Sequence, residues 1–329
     1  MILHALARVK NESDVIEEFV RHNLRFVDRL TVIDNGSFDG TLQILEHLRD
    51  ERLPVAIEHD PSVADQQHEM MTAAARSSAR RDDWDWLILL DADEFIHAPS
   101  RSDMEAELAR VPERWNALLA WQTYVPSAHD DVDEPQVLRR IRHRRAFEAP
   151  PAEHKSILSR AFASRGFAIS QGNHIVRDVR GNDAKAQVLT TAALAHLPLR
   201  SIEQAQRKAL LAWGANIARG REHGGWAWQQ RRLFEKMESD ASWTFDDLCS
   251  IALHYLDEEG IHGSELVYDP LPPVDAWRYH ELGVSGVTQL ATRYVRQLAR
   301  AVADGPHARP PVTAGRIVEK LVRVLNGKQ

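Results

Sequence analysis

Short apolar runs alternate with amphipathic stretches through the first 125 residues. Ile2–Ala7 is a run of strand length, and Val15, Ile16, Phe19, Val20 and Leu24 then recur at helical spacing. Leu30-Thr-Val-Ile33 predicts a second strand, broken by Asp34-Asn-Gly-Ser37, and apolar positions 42, 44, 45 and 48 predict the helix after it. Val55-Ala-Ile57 predicts a third strand, residues 65–80 an Ala-rich helix, Trp86–Leu90 a fourth strand and Leu118-Leu-Ala-Trp121 a fifth. Strands alternating with helices of these lengths predict an α/β fold, an open and mostly parallel sheet flanked by helices on both faces.

The second half is less regular. Pro126, Pro135, Pro150 and Pro151 stand among acids and the basic stretch Arg139-Arg-Ile-Arg-His-Arg-Arg145, which predicts a long loop or a pair of edge strands over 126–160. The basic stretch reads as a solvated edge or as a face toward a polyanionic or membrane-linked partner. Ser201 opens a predicted helix over 201–219, with others at 226–238, 244–257, 286–303 and 313–325, and Tyr268-Asp-Pro-Leu-Pro-Pro273 reads as a rigid connection. This divides the chain into 1–200, the α/β part, and 201–329, a mainly helical C-terminal region.

Composition narrows the setting. The 329 residues are 43% hydrophobic and 27% charged, values of an ordinary globular chain. A net charge of −7 gives no general attraction to nucleic acid. The one cysteine, Cys249, leaves no internal disulfide framework and reads as a small core residue. No apolar run approaches the length that crosses a bilayer, and the N-terminus lacks the pattern of a signal peptide. These features predict a cytoplasmic protein, with peripheral contact at the inner membrane face left open.

Chemistry gathers after the strands. Leu87-Ile-Leu-Leu90 ends abruptly in Asp91-Ala-Asp93-Glu94, and if strand geometry continues, Asp91 and Asp93 point the same way. Two convergent carboxylates repel unless a cation lies between them, and hard ions such as Mg²⁺ or Mn²⁺ complete their shells with phosphate oxygens. Polar residues also follow the first and second strands, Arg8 to Glu12 and Asp34 to Asp39. Ligands of such sheets bind outside the carboxyl ends of the strands, so the three segments are expected to meet in one crevice.

Val9-Lys-Asn-Glu12, Val32-Ile-Asp-Asn-Gly-Ser-Phe-Asp-Gly-Thr41 and Leu89-Leu-Asp-Ala-Asp-Glu-Phe95, in this order, resemble the family 2 glycosyltransferases of the GT-A fold. The closer likeness is to the branch with D-N-G-S-x-D-G-T and D-A-D-E-F motifs. It covers the first 100 residues strongly and continues more weakly through His154-Lys-Ser-Ile157, Gly172-Asn-His174 and His196-Leu-Pro-Leu-Arg-Ser201. The resemblance implies a GT-A-like sheet, a nucleotide-sugar donor, a divalent metal (Mn²⁺ or Mg²⁺) and inverting transfer to a glycan, lipid-linked or protein acceptor. Arg8, Asn11 and Glu12 would border the base, Asp34 would hold base or ribose, and Gly36 and Gly40 would permit tight turns. For Asp34 and both glycines a plain turn is the alternative reading. Asp39 is expected as the N-cap of the helix near Thr41.

Asp65 and Gln66 would lie near ribose and diphosphate, or serve as a helix cap and a surface amide. Asp93 is the leading metal ligand, Asp91 a ribose contact or second ligand, and His196 a third ligand or a structural histidine. Glu94 would orient a water or face solvent, Phe95 reads as core, and Arg200 would meet the diphosphate or lie at the surface. Lys155 would hold a phosphate or acceptor, or be a surface lysine. Trp121 and Trp226 would stack on sugars or belong to the core. The family pattern expects a downstream carboxylate as base; Glu153 leads, followed by His174, then Asp178 or Asp183.

Two rivals are weighed. A haloacid-dehalogenase-like phosphatase needs threonine where Phe95 stands, and an aspartate nucleophile where Ser37 stands in Ser37-Phe-Asp-Gly-Thr41. A non-catalytic nucleotide-sugar or glycan-binding module would keep the crevice without the base.

Overall fold

The computed structural model describes residues 1–60, 67–148, 152–213, 228–239, 242–255, 265–283 and 286. The strands are β1 (Leu3–Val9), β2 (Arg29–Asp34), β3 (Val55–His59), β4 (Trp86–Asp91), β5 (Glu94–His97), β6 (Asn116–Thr123), β7 (His143–Arg145), β8 (His154–Ser159), β9 (Phe167–Ile169), β10 (Val176–Asp178), β11 (Ala186–His196) and β12 (Leu266–Tyr268). The main sheet has eight strands in the order β3-β2-β1-β4-β8-β6-β11-β5. All but β8 and β5 run the same way: β8 is antiparallel to β4 and β6, and β5 to β11. The fold is thus α/β with a mostly parallel sheet.

Helices cover both faces, and strand alternation decides which residue meets which face. In β4, Trp86, Ile88 and Leu90 join one core with α1 (Ile16–Asn23) and α2 (Thr41–Asp50), including Phe19, Val20, Ile44 and Leu48. Leu87 and Leu89 point to the other face, against Met71 and Ala75 of α3 (Gln67–Arg81). Burial on both sides explains why this strand reads as an unbroken apolar run. Further on, α4 (Arg101–Leu108) adds Met104 and Leu108 to the first core, α5 (Val137–Arg140) adds Val137 and Leu138, and α6 (Arg160–Ala163) adds Ala163 to the second. A third core is helical, built by α7 (Ile202–Lys208), α8 (Trp228–Ser239) and α9 (Phe245–Leu253) around Ala205, Phe234 and Leu248.

Several expectations are corrected. Residues 126–160 hold a strand inside the main sheet, because β8 inserts between β4 and β6; the flanking prolines obscured an apolar centre, Ile157-Leu158, that is fully buried. The basic stretch is not a solvated edge. Arg145 is buried, Arg144 pairs with Asp269 at 2.7 Å, and Arg140 donates to the Arg200 carbonyl; β7 pairs with β12 in a separate ribbon. The helix expected over 201–219 stays α-helical to Lys208 and becomes π-helical over Ala209–Trp213. Asn11-Glu-Ser13-Asp14 contains plausible N-caps for the first helix, but the start of α1 has no side-chain cap: Val15 occupies the cap position, and Asp14 is engaged elsewhere. Cys249 is half-buried on α9. Asp65, Gln66, Trp226 and, Gly286 apart, the helices expected at 286–303 and 313–325 lie outside the described residues.

Residues 271–283 return across α1 and α2. Tyr279 stacks on His47 with centroids 4.9 Å apart and donates to Glu51 at 2.6 Å, while Ser13 Oγ donates to the Gly283 carbonyl. Gly40 makes this approach possible. Its φ is +109°, and a Cβ there would lie 2.3 Å from the Leu282 carbonyl oxygen. Gly40→Ala is therefore expected to destabilise the fold by about 1–3 kcal/mol. Urea unfolding measures this, and an unchanged midpoint would refute the packing described for Leu282.

Candidate active site

The sheet register lines up the polar segments that follow the strands. Arg8 on β1 is paired with Asp91 on β4 and Ile33 on β2, and Val9 with Asp34. The loops after β1 and β2 are knitted together. Asp34 accepts the Ser37 amide at 3.1 Å, the Asn11 amide donates to Ser37 Oγ at 2.9 Å, and Asn11 Oδ1 accepts the Phe38 amide at 2.9 Å. Asn11 adopts φ 57° and Gly36 φ 65°, so this knot uses left-handed backbone at both positions. Arg8 donates to Asp60 at 3.1 Å. Gly40, not Asp39, occupies the N-cap position of α2; Asp39 accepts the Thr41 amide at 3.0 Å from one residue earlier, and the Ser13 amide at 3.1 Å.

Asp91 and Asp93 do not continue one strand face. β4 ends at Asp91, residues 92–93 turn, and β5 starts at Glu94, so the two carboxylates find different partners. Asp91 takes the Lys155 ammonium, Gln67 Nε2 at 3.1 Å and Asn173 Nδ2 at 3.4 Å. Glu94 does not face solvent. It is 0% exposed and accepts the Asp91 amide at 2.9 Å, the Trp121 indole at 2.7 Å and Lys155 at 3.2 Å. Nor is Lys155 a surface lysine; it too is 0% exposed. Burial disfavours its ammonium, but Asp91 and Glu94 outweigh burial and raise its pKa. Phe95 is core, edge-on to Phe19 and His22.

Asp93 faces the other way. Its Oδ2 lies 2.9 Å from Lys208 Nζ and 3.9 Å from His196 Nε2, at the end of β11. Burial pushes the Asp93 carboxyl up, but Lys208, His196 and Arg200 together hold it well below the usual carboxylate range. His196 is 5% exposed, and burial pushes its imidazole down to about 3 while Asp93 opposes. The ring stacks on Trp121, centroids 4.0 Å apart and planes 21° apart, and its buried Nδ1 finds no hydrogen-bond partner among the described residues. A neutral imidazole beside an ionised carboxylate is a donor set that fits Mn²⁺ better than Mg²⁺, which prefers oxygen ligands throughout. Among the described residues no three or more His, Cys, Asp or Glu converge on one point, so such an ion would take its other ligands from phosphate or water.

Arg200 is neither a free phosphate ligand nor a surface residue. It is 1% exposed and bridges Glu12 at 2.6 Å and Asp14 at 2.8 Å; Arg207 joins Asp14 at 2.9 Å. Burial disfavours the Arg200 charge, and Asp14 and Glu12 outweigh it. Glu12 thus braces the loop after β1 against the start of α7. Of the base candidates, Glu153 and His174 are neighbours, with Oε2 3.3 Å from Nδ1, and His174 Nδ1 also lies 2.8 Å from the His154 carbonyl. Both partners of Nδ1 are acceptors, which assigns the proton to Nδ1 and leaves the Nε2 lone pair free. Asp178 is half-exposed at the end of β10 and Asp183 is exposed beyond the turn that follows; Asp178 accepts from Asn182 and Asp183 pairs with Arg177. The residues that the sequence did not signal are Gln67, Asn173, Arg207 and Lys208, which belong to no short motif; of these only Asn173 lies in a quoted segment, Gly172-Asn-His174.

Residues 8–113 match the family model described as Glycosyl transferase family 2. Over those residues the chain is similar to the family 2 glycosyltransferases. The match spans the loops after β1 and β2 and the Asp91–Glu94 turn, and stops before Lys155, His174, His196 and Lys208. No curated protein matches the chain. Among solved structures, it is similar to S. aureus TarS, at 15% identity over 74% of this chain and 44% of that one, TM-score 0.37. It is also similar to the Pyrobaculum calidifontis mannosyltransferase PcManGT, in complex with GDP-Man and Mn²⁺, at 12% identity over 98% and 86% of the two chains, TM-score 0.38. The third is glucosyl-3-phosphoglycerate synthase from Mycobacterium tuberculosis, at 14% identity over 65% and 78%, TM-score 0.34. The chain spans less than half of the TarS structure.

The Lys155 arrangement has an energetic consequence. Removing one partner of a buried ion pair strands the other, at a cost of about 3–5 kcal/mol. Lys155→Met is expected to lose that much in chemical denaturation, and Lys155→Met combined with Glu94→Gln to recover part of it. A loss below about 1 kcal/mol, the range of an exposed pair, would refute the buried network.

Proposed function

We propose that the protein transfers a sugar from a nucleotide-sugar donor to an acceptor hydroxyl, with inversion and with a divalent ion at Asp93 and His196. The observation that carries this reading is the approach of Asp93 Oδ2 to His196 Nε2, 3.9 Å apart at strand ends, within a chain whose residues 8–113 match the family. The ion, when bound, neutralises the leaving diphosphate. The loop from Arg8 to Glu12 borders the base, Asp34 receives base or ribose, and Asp91, held by Lys155, faces the ribose. Asp65 and Gln66 are assigned to the same donor. The acceptor is a glycan, a lipid-linked sugar or a protein.

The base is the pair of Glu153 and His174. His174 takes the acceptor proton at Nε2, while Glu153 and the His154 carbonyl hold Nδ1–H and so fix the ring. Burial and the Lys155 charge both lower the His174 pKa, and Glu153 opposes them. The sign follows: a base with a lowered pKa stays competent as pH falls through 6.5, and turnover breaks only below that value. The pH profile of kcat for transfer checks this. A break above 6.5 would contradict the assignment, as would a His174→Ala variant with unchanged kcat. Glu153→Gln is expected to lower kcat less than His174→Ala, for which a general base implies a fall of about 10²–10⁴-fold.

Asp93→Asn, screened over a panel of nucleotide sugars with Mn²⁺, is expected to abolish donor hydrolysis and transfer; because it also removes the partner of Lys208, a retained cooperative thermal transition checks that the variant is folded. Wild-type donor turnover that persists in Asp93→Asn would overturn the reading. A wild type that binds donors without hydrolysing or transferring any would instead mark a binding module.

A further inference from the structure

Lys208 stands where a cation is wanted. Its ammonium lies 2.9 Å from Asp93 Oδ2 and 3.1 Å from the Pro198 carbonyl, with the Tyr255 ring centroid 5.5 Å away. The same Oδ2 lies 3.9 Å from His196 Nε2. The two groups assigned above to a divalent ion therefore already share one positive charge. An ammonium and a divalent ion in contact with one carboxylate oxygen repel each other strongly at a half-buried site.

The two lysines of the site differ in their freedom. Lys155 is sealed between Asp91 and Glu94, whereas the Lys208 side chain keeps 23% exposure and holds one carboxylate and one carbonyl. Lys208 is also the last α-helical residue of α7. The backbone turns π-helical from Ala209, and such turns concentrate at functional sites. Arg200 and Arg207, its cationic neighbours, are each tied to Asp14, and Arg200 also to Glu12. Lys208 is the cation of this group that can change partners at least cost.

Resting on the nucleotide-sugar reading, we propose that Lys208 is an exchangeable counter-cation: it neutralises Asp93 in the empty site, yields that oxygen to a divalent ion, and moves its ammonium to the donor's diphosphate. The freed ammonium needs a new anion, and the diphosphate brings one to the same place. Lys208 and the metal thus compete before the nucleotide binds and act together afterwards. A merely structural lysine would not produce effects of opposite sign.

The full chain is titrated with Mn²⁺ alone, free ion being counted by its electron paramagnetic resonance signal. Lys208→Met is expected to bind Mn²⁺ about tenfold more tightly than the wild type, and Lys208→Arg to stay near it. Calorimetry at saturating Mn²⁺ then reads UDP and GDP; the nucleotide that the wild type binds is expected to bind Lys208→Met about tenfold more weakly. Should Lys208→Met lack a cooperative thermal transition, Lys208→Gln is measured with the same expected signs. Unchanged or weaker Mn²⁺ binding by the Met variant, with Asp93→Asn still abolishing it, overturns the exchange and leaves the nucleotide-sugar reading standing. Unchanged nucleotide affinity also overturns it. Absence of Mn²⁺ binding in both wild type and variant overturns the exchange and the metal-dependent reading together.

Discussion

A charge buried at a strand end must be paired, and here the acids and their cations come from different stretches of the chain. Glu12, Asp14, Asp91, Asp93 and Glu94 belong to the first 94 residues; Lys155, Arg200, Arg207 and Lys208 all follow residue 154. Neither set is tolerable in a low-dielectric site alone. The pairing therefore fixes β8 and α7 against the loops after β1 and β4. The family match, which ends at residue 113, covers these five acids and none of these four cations.

Two ion-paired clusters result, and Trp121 touches both. Its indole donates to Glu94, the partner of Lys155, and its ring stacks on His196, next to Asp93 and Lys208. His174 meets the indole edge-on at 5.2 Å, which brings the proposed base to the same side chain. A sugar platform or a plain core tryptophan was the choice that sequence offered for this residue. In the structure it orients three chemically active neighbours instead. The nearby edge of β5 is closed by Asn23, which donates to the Glu94 carbonyl and accepts the Ile96 amide, so the segment carrying Glu94 is held on both sides.

The alternating elements of residues 1–125 were legible because each strand is a local apolar run and each helix a local 3.6-residue repeat. Asp93 was singled out because it follows an apolar strand, and His196 because the family resemblance expects a later histidine; the structure brings the two within 3.9 Å. Strand reasoning failed at Asp91-Ala-Asp93, where it assumed that the period of two continued through a turn. It also failed for Glu94, Lys155 and Arg200, whose charges implied exposure; partners 60 to 190 residues away make burial possible, and no local pattern reports such pairing. Strand β8 was hidden for a related reason. Its apolar part is only two residues long, and its place in the sheet is set by β4 and β6.

The central claim is that Asp93 and His196 hold a divalent ion against a nucleoside diphosphate at these strand ends. Crystals of the full chain grown with Mn²⁺ and UDP or GDP, measured at a wavelength where manganese scatters anomalously, test it most directly. The account predicts one anomalous peak bonded to both the Asp93 carboxylate and His196 Nε2, with diphosphate oxygens completing its shell. A nucleotide bound there without such a peak, or a peak that contacts neither residue, would contradict it.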